Sequence, residues 1–92
     1  MARLLEEVSP GTPVFDGRGT TVGEVRAVYG SGEGLLAEFV LVFWKNRNAE
    51  ALVPADEVAQ VNDKGVTLIS SAPAYEALPA FDPSSNPALH RL

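Results

Sequence analysis

Apolar and polar positions along this chain fall into short runs, each closed by turn residues, and this pattern predicts a small all-β domain. Thr12 to Phe15 is the first expected strand, followed by the hairpin loop Asp16-Gly17-Arg18-Gly19. Thr21 to Tyr29 is the second. Val25, Ala27 and Tyr29 share one of its faces, with Glu24 and Arg26 on the other. Val22 has the wrong parity for the first face, so a bulge is expected at Gly23. Gly30-Ser31-Gly32-Glu33-Gly34 reads as a loop, and Leu36 to Trp44 as the third and longest strand. Lys45 to Asn48 turns into a fourth strand, Glu50 to Val53, which Pro54 ends because it has no N–H to donate. Ala55 to Val58 suits one helical turn, with Asp56 and Glu57 beside its unpaired N–H groups. Val61 belongs to a short strand, Asn62-Asp63-Lys64-Gly65 is a further hairpin loop, and Val66 to Ile69 pairs back. Near 73–78 a short helix is expected, with Pro73 in its first turn and Tyr75 and Leu78 on one face. The domain then spans 1–79, and 80–92 is a flexible tail whose Pro-Ser-Ser-Asn-Pro run has little to bury.

The third strand is apolar on both faces, which a one-sided barrel wall does not require. Its odd positions Ala37, Phe39, Leu41 and Phe43 carry no charge and are expected to face inward. That assignment leaves Val40, Val42 and Trp44 outside, beside Glu38, as candidate protein-interface residues. Two covers compete for them: the segment from Tyr75 to Phe81 within the chain, or a second copy in a two-fold dimer.

Composition narrows the chemistry. Ninety-two residues make one domain, and a 46% hydrophobic share with 21% charged residues is an ordinary globular balance. The longest apolar run, Phe39 to Trp44, is far below the ~20 residues that cross a bilayer, so no membrane span is expected. The start Met-Ala-Arg-Leu-Leu-Glu-Glu is not expected to act as a signal peptide, because two glutamates interrupt it after two leucines. With no cysteine, thiolate catalysis and Cys-based metal sites are excluded, and a reducing cytoplasm is the expected setting. A net charge of −5 and no basic run beyond Lys45 and Arg47 argue against direct nucleic-acid binding.

Residues that could carry chemistry read as structural. The loop Gly30 to Gly34 resembles a phosphate cradle, but a strand follows it and Glu33 would repel the anion. Asp56 and Glu57 are neighbours that do not converge on one atom, and Asp16 and Asp63 stand beside turn glycines, where Asp holds the local backbone. His90 is the single histidine, and alone it makes neither a metal site nor a catalytic relay. No catalytic residues, metal or cofactor are expected, and the chain does not read as an enzyme.

The order of these features resembles the PRC-barrel family, small β-barrels of the photosynthetic reaction-centre H subunit, of a ribosome-maturation factor's C-terminus and of stand-alone bacterial and archaeal proteins. Gly11-Thr-Pro-Val-Phe-Asp, Gly19-Thr-Thr-Val-Gly-Glu-Val and Glu38-Phe-Val-Leu-Val carry the resemblance. It is strongest at Leu52-Val-Pro-Ala-Asp-Glu-Val-Ala-Gln-Val followed by Gly65-Val-Thr-Leu. It covers about residues 8 to 70 and implies a PRC-barrel-like β-barrel of five to six short strands, serving as a docking module of a prokaryotic cell. The expected function is therefore a non-catalytic interaction module that associates with itself or binds another protein. A small-molecule or cofactor-binding barrel is the alternative, although so small a barrel is normally filled by its own side chains. An accessory role in ribosome assembly or photosynthetic electron transfer rests on the resemblance alone.

Overall fold

The structure is a computed structural model that describes residues 5, 8–30, 37–75, 78–82 and 90–91. The glycine loop from Ser31, the expected start of the third strand at Leu36, Glu76 and Ala77 of the expected helix, and 83–89 of the tail lie outside the described residues. Among the described residues seven strands form: β1 (Pro13–Phe15), β2 (Thr21–Gly30), β3 (Phe39–Trp44), β4 (Ala49–Pro54), β5 (Val58–Asn62), β6 (Gly65–Leu68) and β7 (His90–Arg91). The first six follow the sequence pattern closely. Their order is β4-β3-β2-β1-β6-β5, with β7 added to β2. Every pairing is antiparallel except β1 with β6, where Val14 lies beside Val66.

The strands at the two ends of this order, β4 and β5, are consecutive in the chain and joined by one 3₁₀ turn, Ala55–Glu57. Three residues of 3₁₀ helix advance only about 6 Å, so the sheet must curl until its ends approach. The corner is fixed by Ala55 N–H donating to the Glu38 carbonyl and Ile69 N–H to that of Glu57, both at 2.9 Å. No pairing joins β4 to β5 among the described residues, so the sheet is curled but not closed into a barrel. The expected helix near 73–78 is a 3₁₀ turn at Ala72–Tyr75.

Inside the curl is one core of Val14, Val22, Val25, Val28, Val40, Val42, Trp44, Ala51, Val53, Val61, Val66, Leu68 and Tyr75. Nine of these thirteen are valine, which suits a narrow concave face with little room for long side chains. Tyr75 closes one end: its ring stacks on Trp44 at 5.6 Å between centroids, and its hydroxyl accepts a hydrogen bond from Ser70 N–H. Leu78 packs against the same core. Of the segment expected to cover Val40, Val42 and Trp44, Tyr75 and Leu78 pack against this core, whereas Phe81 lies against Tyr29.

Two bulges set the phase of β2. On β1, Val14 faces Gly23 and Phe15 faces Thr21, so Val22 is the extra residue. On β3, Val25 faces Val42 and Ala27 faces Leu41, so Arg26 is the extra residue. The first lies one residue from the expected site at Gly23. The second was not expected, and it corrects the faces: Val28, rather than Ala27 or Tyr29, joins Val25 in the core.

The β1–β2 turn is built by Asp16, 3% exposed. One of its carboxylate oxygens, Oδ1, accepts from Arg18 N–H at 2.9 Å and Thr20 N–H at 3.0 Å. At the β5–β6 turn Asn62 Oδ1 accepts the corresponding bond, from Lys64 N–H at 2.9 Å. Asp16→Ala leaves two amides without their acceptor and should cost about 2 kcal/mol, lowering the thermal midpoint by about 10 °C. Asp16→Asn keeps an acceptor oxygen and should cost less; a thermal melt monitored by circular dichroism separates the two.

Candidate functional site

The interface residues expected from the sequence are placed on the opposite face of β3. Val40 and Val42 are fully buried and Trp44 is 2% exposed, all three within the core. The assignment by parity failed for two physical reasons. Glu38, whose charge marked the even set as outward, precedes the strand and lies outside its alternation. Both faces of the strand are apolar and aromatic, Trp44 inside against Tyr75 and Phe39 and Phe43 outside, so side-chain type does not decide between them.

That convex face is the candidate site. Cross-strand register lines up three rows on it: Tyr29–Phe39–Pro54, Ala27–Leu41–Leu52 and Glu24–Phe43–Glu50. Leu41 and Ala27 are buried yet stand outside the core, so something covers them from the convex side. Part of that cover is the C-terminal segment. Phe81 N–H donates to the Glu50 carbonyl on the free edge of β4 at 2.7 Å, and its ring meets Tyr29 at 5.5 Å. At the other margin, β7 pairs with Tyr29 and Gly30 of β2, and the Arg91 guanidinium reaches the Arg26 carbonyl at 3.3 Å. The expected loose tail therefore has two points of attachment to the sheet.

Arg26 shows what the second bulge does. Swung out of register, its guanidinium lies 4.7 Å above the centre of the Phe43 ring, between Glu24 at 3.9 Å and Glu50 at 3.8 Å. All three side chains are more than a third exposed, so these long ion pairs contribute less than about 1 kcal/mol each. Their effect is placement: charges of both signs border an apolar strip. Between the rows is a depression of about 340 Å³ walled by Arg26, Tyr29, Phe81 and Arg91 over a floor of Leu41 and Ala27.

The sequence carried one signal for this site, the charged Arg26 inside an apolar run, but it read as ordinary alternation. Nothing marked Arg91. The basic pair Lys45 and Arg47 does sit on the β3–β4 turn as expected, with Lys45 exposed and Arg47 half-buried. Arg47 Nη1 and Trp44 Nε1 are buried without a hydrogen-bond partner among the described residues. Among the described residues no three His, Asp or Glu side chains gather to hold a metal ion, and no helix is long and apolar enough to cross a membrane. A scan against protein-family models finds no match for this chain, and a search of curated proteins finds none.

Proposed function

We propose that this chain is a non-catalytic docking module that binds a second copy of itself through the convex face of β2, β3 and β4. The observation that carries this reading is the strip of half-buried apolar side chains on that face, Tyr29, Phe39, Phe43, Leu52 and Phe81. The strip lies beside Arg26 and Arg91 as well as Glu24 and Glu50. A face with both signs of charge next to one apolar strip is complementary to itself under a two-fold rotation, the commonest symmetry of homo-oligomers. The apolar side chains of this strip are already half-buried, so covering each contributes less than the roughly 1.5–3 kcal/mol of a fully exposed one. The PRC-barrel-like arrangement of Gly11 to Asp16, Gly19 to Val25 and Leu52 to Val61 belongs to the same proposal, as does closure of the curled sheet into a barrel.

Light scattering after size exclusion should give a dimer at tens of micromolar. Leu52→Glu, which puts a carboxylate in the middle row, should yield a folded monomer with a wild-type circular dichroism spectrum. A wild-type chain that stays monomeric at these concentrations would overturn self-docking, and a dimer unaffected by Leu52→Glu would move the interface elsewhere.

A further inference from the structure

The depression on the convex face has a charge and a lining that self-docking alone does not need. Its floor is apolar: Leu41 and Ala27 are each 5% exposed. Phe81 and Tyr29 form a tilted aromatic pair in its wall. The bulge at Arg26 sets two guanidinium groups beside them. It turns the Arg26 side chain out over the Phe43 ring, and the carbonyl of the same residue holds Arg91 through one hydrogen bond at 3.3 Å. Most N–H groups of these two arginines are left over. Arg26 stands 3.9 Å from Glu24 and 3.8 Å from Glu50, ion pairs too long to be hydrogen bonds. Among the described residues no carboxylate pairs with Arg91. The lining thus holds two cations, Arg26 and Arg91, against one anion, Glu50. That is a surplus of one positive charge, on a chain whose net charge is −5.

We propose that this depression binds a small aromatic monocarboxylate, its ring against Tyr29 and Phe81 and its carboxylate at Arg26 and Arg91. The inference goes beyond self-docking and stands without it. A volume of about 340 Å³ is at the low end of the roughly 300–1,000 Å³ of small-molecule sites, which suits a single ring on a short arm. The planar fork of an arginine matches the two oxygens of a carboxylate, and such charge-assisted bonds are the strong ones. The single surplus charge selects a monoanion, because the second charge of a phosphate ester would be left facing Glu50. A third ring extends the tilted pair already present and lies on an apolar floor.

Phenylacetate titrated into the whole chain, followed by amide chemical shifts, tests the site. Binding should saturate at submillimolar concentration and move the amides of Arg26 to Tyr29 and of Leu41. Phenylacetamide has the same shape without the charge and should bind about tenfold more weakly or worse, a comparison that needs no substitution. Arg91→Ala, which removes an exposed side chain outside the core, should weaken phenylacetate by a similar factor and leave the circular dichroism spectrum unchanged. Equal binding of acid and amide, shifts that do not saturate, or shifts confined to other amides would overturn the site. Tighter binding of phenyl phosphate would overturn the choice of a monocarboxylate. Light scattering on the same samples keeps the two readings apart. A monomer that binds the acid defeats docking alone, and a dimer that does not bind it defeats this site alone.

Discussion

Val42→Glu should leave the domain unfolded at room temperature. Val42 is fully buried at the middle of β3, with Val25 beside it on β2 and Ala51 on β4, both themselves buried. Its side chain points into the valine core. Among the described residues no cation stands in the core to meet a carboxylate placed there, and an uncompensated buried charge costs several kcal/mol even after relaxation. The whole stability of a domain this small lies toward the low end of about 5–15 kcal/mol. Far-UV circular dichroism and a one-dimensional proton spectrum test the outcome. A folded Val42→Glu chain with wild-type stability would return Val42 to the surface and undo the face assignment. Val42→Ala, which only empties volume, should stay folded with a lowered midpoint.

Gly23→Ala should be the most damaging exchange of so small a side chain. Gly23 is buried at the crossing of three strands, facing Val14 on β1 and Trp44 on β3. A Cβ built there would overlap the Phe43 carbonyl oxygen. That obstacle is backbone, held by the β3 ladder, and cannot swing aside as a side chain would. Either β2 and β3 part locally or the Val22 bulge is lost, and the cost should be about 2–3 kcal/mol. The thermal midpoint should fall by about 10–20 °C, measured with urea unfolding alongside to show that the slope is unchanged. Wild-type stability in Gly23→Ala would mean that the two strands do not approach this closely.

The positions of the strands were legible because alternation and turn residues are local. Asp16, Gly19 and Gly65 each mark a turn through backbone needs that the residue type itself reveals. Facing was not legible, because it depends on phase. A single extra residue at Arg26 inverts the alternation of β2 from that point on, and an Arg in an exposed bulge looks like an Arg in an exposed register position. On β3 both faces are apolar and both carry aromatic side chains, so nothing local separates them, and which set turns inward depends on the curl of the whole sheet. The candidate site depended on all three: the bulge, the curl and the return of Phe81 and Arg91 from far along the chain.

The parallel contact between β1 and β6 also orders events in time. β1 through β4 form a meander and β5 with β6 a hairpin, each assembled from neighbours in sequence. Val14 and Val66, by contrast, meet across most of the domain. Contacts between such distant residues must absorb the loss of chain freedom before they return any stabilisation, and they slow folding accordingly. During synthesis the first strand is made long before the strand that completes its pairing. Until β6 arrives, the outer edge of β1 stays open to other chains, so the nascent domain is at its most adhesive just before it is finished.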